Sequence, residues 1–384
     1  MRRAFKFRLF TNANQARELG IMLESHRRLY NVCLGQRKTT YETTQVGVLY
    51  PEQSAWFKAQ REINPYFARL NFSSAQATMR RLDKAFRAFF RRCKSKEDPG
   101  YPRFKGRNHF DSIEFPSYGD GIRLKINRLY VQHVGTIRCK VHRPVEGTVK
   151  TVMIKREGDK WFAILSCDLG DCVVAPSTLP AIGVDVGLEN FLTTSDGKTV
   201  ENPRYLKREL PALRRAQRAI SRKKKGGSNR RKATKAVRVL HVHVANRRHE
   251  HHHKTALNLI RCYGLIAVEN LNIRGMVRNH RLSRAIADAA WGGFLTILGH
   301  KAESAGVTVM AVDARGTSQQ CSACGKEVCK NLSVRRHVCP HCGLSLHRDE
   351  NAARNILARA LQARMGPVGV NGESPVAQEA VCFS

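Results

Sequence analysis

The stretch AIGVDVGLENFLTTSDGKTV, residues 181–200, decides how the second half of the chain folds. Residues 181–186 are an apolar run of strand length with one carboxylate, Asp185, near its C-terminal end. Gly187 permits a bend, residues 191–195 read as a second strand, and Ser195-Asp196-Gly197 turns the chain into a third. The segment is a three-strand meander that carries an acid on its first strand.

Such a meander opens an RNase H-like fold, and the downstream sequence continues it. Between Arg204 and Lys254 stand 18 Lys plus Arg against two acids, Glu209 and Glu250, in a helical pattern broken at KKKGGSNRRK, residues 223–232. A solvated face would mix the two signs, so this basic hairpin reads as a contact surface for a polyanion. Leu265 to Val268 form a buried strand with Glu269 at its end. A helix follows through Trp291, Leu295 and Leu298, then the strand VTVMAV at 307–312, then a last helix from near Arg348 through NAARNILARALQAR. Strands alternating with helices make this half α/β. The tail from Gly366, with Pro367, Gly369, Gly372 and Pro375, reads as disordered.

Upstream the pattern changes. From about Gln15 to Arg92 apolar residues recur at three and four, the mark of helices. One helix, expected to be capped at Ser73 or Ser74, runs through Met79, Leu82, Phe86 and Phe90. It sets Arg80, Arg81, Lys84, Arg87, Arg91 and Arg92 on its other faces, with Asp83 as the only acid among them. A loop at Lys94 to Gly100 ends the helices. Beyond it, from about Ser112 to Asp171, short alternating runs (SIEF, IRLKI, LYVQHV, TIRCKV, TVKTVMIKR, WFAILSCDL) follow at hairpin spacing. They predict a small antiparallel barrel or curled sheet. The N-terminal strand at residues 3–10, with Phe5, Phe7 and Leu9 on one side, completes it around an inserted helical block.

The 384 residues, at about 150 per domain, suggest two or three domains, and 42% hydrophobic residues give each a core. Lys plus Arg number 67 against 31 Asp plus Glu, a net charge of +36. Charge of that size repels itself unless it lies against a polyanion, so nucleic acid is the expected partner. No apolar run approaches 18 residues and the start, MRRAFKFRLF, alternates basic and apolar residues, so neither a membrane span nor a secreted protein is expected.

Eight of the twelve cysteines (Cys33, Cys93, Cys139, Cys167, Cys172, Cys262, Cys329 and Cys382) lack ligand spacing and read as core or surface thiols. The other four are Cys321-x2-Cys324, fourteen residues, then Cys339-x2-Cys342, with Gly325 and Gly343 directly after the pairs. Two such knuckles place four thiolates around one structural Zn2+. Asp185, Glu269 and Asp349 form a second candidate set, two at strand ends and one in the first turn of the last helix. Converging carboxylates can hold two divalent cations, and all-oxygen donors suit Mg2+. Glu189, Asp196 and Glu350 are better read as turn or outward-facing residues, while Asp313, at the end of an adjacent strand, competes for a place in the set. His249 and His251 to His253 cannot chelate together, because consecutive helical residues point apart. They read as a polar helix surface, with room for one member under the sheet.

With these residues in view the chain resembles TnpB, the transposon-encoded RNA-guided DNA endonuclease family related to type V CRISPR effectors. The likeness runs through KFRLF near the start, YPRFKGR at 101–107, GVDVGLENF at 183–191, AVENL at 267–271, TSQQCSACG at 317–325 and HVCPHCG followed by HRDENAARNIL at 337–357. The resemblance implies a multidomain α+β chain: a wedge-type β-barrel from 1–14 and 111–178, and a helical recognition domain over 15–110. An RNase H-like (RuvC) nuclease domain would span 179–316 with the basic hairpin 204–254, followed by a zinc ribbon over 317–345, the closing RuvC helix over 346–365 and the tail 366–384. Three split RuvC motifs fall on Asp185, Glu269 and Asp349, setting Asp313 aside.

The resemblance further implies Mg2+, two ions, as cofactor and one structural Zn2+. It implies a guide RNA from the transposon end and a double-stranded target cut beside a short adjacent motif. The helix from Ser74 to Phe90 would face that motif's duplex, with Gln76 and Thr78 as readers and Arg80 beside them. Arg103, Lys105 and the hairpin cations Arg222, Lys223, Lys224, Lys225, Arg230, Arg231 and Lys232 would hold phosphates. His347 departs from the Asp common among relatives, with little consequence expected. A monomer with one RNA in the cytoplasm of a prokaryote, on the nucleoid when DNA-bound, completes the expectation. A nuclease-inactive RNA-guided regulator is the rival reading, although all three acids are present. A DDE-type transposase is the other, against which stands the order Asp, Glu, Asp.

Overall fold

The computed structural model describes residues 2–107, 109–170, 174–331 and 334–364, and the chain divides into two compact units, Met1–Cys172 and Val173–Ser384. The expected disorder of the tail lies outside the described residues.

In the first unit, β1 (Arg2–Phe10) is followed by α1 (Ala13–Thr44), α2 (Tyr50–Ile63), α3 (Pro65–Ala68) and α4 (Phe72–Lys94). Then come β2 (Ser112–Phe115), β3 (Ile122–Lys125), β4 (Arg128–Val131), β5 (Gly135–Lys140), β6 (Thr148–Glu157) and β7 (Lys160–Asp168). The seven strands pair antiparallel in the order β2-β6-β7-β1-β5-β4-β3, a nearly closed barrel. β1 lies between β7 and β5, and its alternation buries Phe5, Phe7 and Leu9 while Arg2, Lys6 and Arg8 stay exposed. α1 starts at a reciprocal cap in which Asn12 accepts from the Gln15 N–H and the Gln15 side chain accepts from the Asn12 N–H.

The helix containing Thr78 starts earlier than Ser73 or Ser74. Asn71 is its cap, accepting from the Ser74 N–H at 2.9 Å. Ser74 itself is buried and turns its hydroxyl to the Asn71 carbonyl.

A buried histidine ties α1 to α4. His26 is fully enclosed, its Nδ1 2.8 Å from the Thr78 hydroxyl and its Nε2 3.3 Å from Ser74 Oγ. Ser74 Oγ also donates to the Asn71 carbonyl and Thr78 Oγ1 to the Ser74 carbonyl, so both hydroxyls are tied to the backbone around the ring, and enclosure favours its neutral form. Burial first, and then the charge of Arg81, pull His26 down to about 3 from the ordinary 6.5. The folded value lies below the unfolded one, so the unfolded chain takes the proton first. The stabilisation is complete above pH 6.5 and declines as pH falls toward 3, by about 1.4 kcal/mol per pH unit. The thermal midpoint should therefore drop between pH 7 and pH 5, and His26→Gln should flatten that slope. A His26→Gln protein as acid-sensitive as the parent would contradict this account.

The second unit contains β8 (Ala181–Val186), β9 (Asn190–Thr194), β10 (Thr199–Glu201), α5 (Tyr205–Ser221), α6 (Ser228–Cys262), β11 (Leu265–Glu269) and α7 (Ile273–Val277). It continues with α8 (Ser283–Ala289), α9 (Trp291–Glu303), β12 (Thr308–Val312), β13 (Arg336–Val338), β14 (Ser345–His347) and α10 (Arg348–Arg364). The sheet order is β10-β9-β8-β11-β12, with β8, β11 and β12 mutually parallel and β9 and β10 antiparallel. Ile182, Val184, Ile266 and Val268 point to the face packed by α6 and α9, through Leu259, Ile260, Phe294 and Leu298. Ala267 and Val312 point to the other face, where Ile356 and Ala360 of α10 cover them. Helices on both sides of the sheet make three layers. Among the described residues no helix is long and apolar enough to cross a membrane.

Candidate active site

Parallel pairing sets Gly183 beside Ala267 and Val184 beside Val268. One residue further, Asp185 and Glu269 stand on adjacent strands about 4.8 Å apart, and by the period of two they share the face of Gly183 and Ala267. That is the face α10 covers. A Cβ on Gly183 would overlap the Ala353 carbonyl oxygen and lie 2.9 Å from the Leu357 backbone nitrogen, so glycine is what lets α10 rest on β8. Asp349 is one helical turn before Ala353. The helix therefore delivers it to the strand ends where the other two acids stand.

Burial first, then the negative charges of Glu269 and Asp349, hold the Asp185 carboxyl well above the ordinary range, while Arg348 pulls it down. Burial also raises Glu269, against the Thr317 hydroxyl and the charge of Arg359. Thr317 Oγ1 donates to Glu269 Oε1 at 2.6 Å. The Asp349 N–H lies 3.3 Å from His347 Nδ1, and the same ring nitrogen lies 3.8 Å from the Asp349 carboxylate.

The competing acids have other occupations. Val312, not Asp313, is level with Glu269, and exposed Asp313 accepts from the Arg315 N–H in a turn. Asp196 sits in the β9–β10 turn. Although burial works against it, hydrogen bonds from Lys198, Thr194 and Tyr263 hold its carboxyl far below the usual range. Glu189 pairs with Arg335 at 3.1 Å and Glu350 with Arg354 at 2.7 Å.

Among the described residues, Cys321, Cys324, Cys339 and Cys342 are the one group of three or more possible ligands whose donor atoms all lie within 4.8 Å. Their sulfurs approach to 3.6 Å in the pairs Cys321–Cys342 and Cys324–Cys339. Tetrahedral Zn–S bonds of about 2.3 Å imply about 3.8 Å between sulfurs, so the cluster fits a zinc ribbon. The two knuckles match: Gly325 N–H donates to the Cys321 carbonyl and Gly343 N–H to the Cys339 carbonyl, both glycines at φ 73. Purified protein should hold one zinc per chain, and Cys339→Ser should hold almost none and lose the fold of residues 321–342, since zinc binding supplies folding energy to such a site. Metal analysis together with limited proteolysis checks both; full zinc in the variant would refute the assignment.

The ribbon is fastened to α10 by residues that composition alone did not single out. Asn351 donates to the Gln320 carbonyl at 2.7 Å and accepts from the Ser322 N–H at 2.9 Å. One turn on, Asn355 donates to the carbonyls of Thr317 and Gln320, and one turn further Arg359 donates to those of Asp313 and Arg315. Their spacing of four along NAARNILARA is the signal that could have found them.

The histidine cluster divides as its helical spacing requires. His252 is buried, stacked on Phe191, with Nε2 3.0 Å from the Ala289 carbonyl, and burial brings it down to about 4. His249 and His253, one turn apart, lie edge to face.

The nucleic-acid candidates fare unevenly. The reading of Thr78 as a base contact is corrected by its burial, since its hydroxyl is committed to His26. Gln76 is half-buried and donates to Ser54, while Arg80 is exposed over the Tyr50 ring. Arg103 is exposed, and Lys105 packs its ammonium 5.8 Å from the Tyr30 centroid. In the hairpin, Arg222, Lys223, Lys224, Lys225, Arg231 and Lys232 are exposed. Arg230 is instead half-buried and donates to the carbonyls of Ile220 and Lys223, closing the end of α5, so it is a helix cap and not a free phosphate ligand.

Parts of the chain match three described protein families. Residues 166–280 match a family described as "Probable transposase" (OrfB_IS605), and residues 291–356 match "Cas12f1-like, TNB domain". Residues 1–45 match a "Helix-turn-helix domain", although here they form the strand β1 and the single helix α1. A Streptomyces pristinaespiralis protein named "Putative RNA-guided DNA endonuclease" is 32% identical, over 99% of this chain and 96% of its own length. An Escherichia coli K12 protein, "Putative RNA-guided DNA endonuclease InsQ", is 27% identical over 92% of this chain and 91% of its own. A solved structure titled as the mini-RNA-guided endonuclease CRISPR-Cas_phi3 superposes with TM-score 0.47 and 10% identity, over 94% of this chain and 92% of that one.

Proposed function

The chain belongs to the TnpB family of transposon-encoded proteins, and on that premise we propose that it is an RNA-guided DNA endonuclease with one RuvC-type centre made by Asp185, Glu269 and Asp349. The observation that carries the reading is the meeting of the ends of β8 and β11 with the start of α10, which sets Asp185 and Glu269 on one face and Asp349 one turn before the residue that rests on Gly183. Three carboxylates brought to one face in this way fit hard divalent cations, and a pair of ions about 3.5–4 Å apart is the arrangement proposed. Mg2+ bound there would supply Lewis acidity to a phosphodiester and make water a better nucleophile.

The chain's own residues do the rest. α10 fixes Asp349 over β8, Arg348 adds the one cation acting on Asp185, and the exposed hairpin cations hold backbone phosphates. The first unit is read as the wedge barrel with its recognition helices, where exposed Arg80 and half-buried Gln76 face the target-adjacent duplex. Target sequence beyond that motif is left to pairing with the guide.

The test is to purify the protein with RNA co-expressed from the element, sequence that RNA, and offer plasmids that match or mismatch its guide segment. Cutting of the matched plasmid alone, abolished when the RNA is digested, is the expected result. Specific cutting by RNA-free protein would favour the transposase reading, and occupancy without products the regulator.

A further inference from the structure

We infer that Thr317 is a positioning residue for Glu269, and that the root of the zinc ribbon is thereby built into the active centre; this rests on the nuclease reading above. Thr317 is 3% exposed, and its hydroxyl donates to Glu269 Oε1 at 2.6 Å. That is the distance of an O–H bond to a charged carboxylate. A carboxylate so engaged keeps one oxygen fixed and thereby restricts how the other can turn. Partners of this kind orient metal-binding side chains and raise their effectiveness.

Thr317 is itself held from two sides. Its one O–H is shared, the shorter contact to Glu269 and a longer one of 3.1 Å to the Ala314 carbonyl in the turn after β12, and its own carbonyl accepts from Asn355 Nδ2 at 2.8 Å. Asn355 is also buried and spends its second N–H on the Gln320 carbonyl, the last residue before Cys321. Asn355 lies on the same helix as Asp349, six residues on, so one rigid element fixes one acid directly and a second through Thr317. The chain from ribbon to Asn355 to Thr317 to Glu269 consists throughout of hydrogen bonds between groups with little access to water, where an unmade bond is costly.

The test compares Thr317→Val, which keeps the shape and removes the O–H, with Thr317→Ser, which keeps the O–H. Mn2+ binding to the protein–RNA complex is read by electron paramagnetic resonance titration, alongside the Mg2+ dependence of plasmid cutting, zinc content and thermal midpoint. Thr317→Val should weaken Mn2+ binding and raise the Mg2+ requirement by about 10- to 100-fold, with zinc content unchanged, and Thr317→Ser should restore both. If Thr317→Val loses zinc or melts early, Thr317→Ala is read in its place with the same expected shift. Wild-type Mn2+ affinity and Mg2+ dependence in a folded Thr317→Val protein would overturn the inference while leaving the nuclease reading intact. Cutting that survives Glu269→Gln would instead remove the reading on which it rests.

Discussion

Asp185→Asn should reduce target cutting about 10³-fold or more, because the metal ions supply several kcal/mol and each 1.36 kcal/mol is tenfold in rate. The substitution keeps size and hydrogen-bonding capacity and removes the charge. In the protein as it stands Asp185 is raised by burial, Glu269 and Asp349 together, so taking one charge out relieves repulsion. The variant should then melt no lower than the parent and should bind RNA and target DNA as the parent does. Gel-shift occupancy with no cleaved product separates this from unfolding. Lost occupancy would mean that Asp185 serves the fold or the nucleic-acid surface rather than the reaction.

Gly183→Ala should be the most damaging single methyl in the second unit. The new Cβ would overlap the Ala353 carbonyl oxygen and sit 2.9 Å from Leu357, and both are held by a helix whose inner face, Ala353, Ile356 and Ala360, is fully buried. Backbone on one side and sheet on the other leave no flexible side chain to yield, so a loss of about 3 kcal/mol or more is expected. At roughly 2–4 °C per kcal/mol the midpoint of this unit should fall by about 10 °C. Because α10 carries Asp349, a folded remnant should also cut poorly even at a temperature where it is stable. A Gly183→Ala protein with the parent's midpoint and rate would mean that α10 does not lie on β8 in solution.

The two variants bear on what the sequence could tell. The places of Asp185, Glu269 and Asp349 in the fold were legible because each stands where a periodic segment ends or begins, and period two then fixes a common face for the two strand acids. The cysteine knuckles were legible from spacing alone, since four thiolates at that separation have few other uses. Thr317 was not, because a threonine after a glycine in a turn ordinarily satisfies its own backbone, and nothing local indicates a carboxylate 48 residues away.

Thr78 was misplaced for a different reason. It lies four residues before Leu82 and eight before Phe86, within the buried stripe of α4, and it was placed on the outward face by the family resemblance, which does not fix which face of the helix a residue takes. Arg230 was hidden in a run of cations, where composition cannot distinguish the side chain that folds back on the α5 carbonyls from its exposed neighbours. The cap was expected at Ser73 or Ser74, two or three residues after Asn71. Geometry chose Asn71, whose oxygen reaches the Ser74 N–H.

The most direct measurement is cleavage of a guide-matched supercoiled plasmid in Mg2+ by the protein–RNA complex carrying, in turn, Asp185→Asn, Glu269→Gln, Asp349→Asn and Asp313→Asn. The account predicts cutting by the parent and by Asp313→Asn, and no product from the other three despite intact target binding. Undiminished cutting by any one of those three, or loss of cutting with Asp313→Asn, would contradict it.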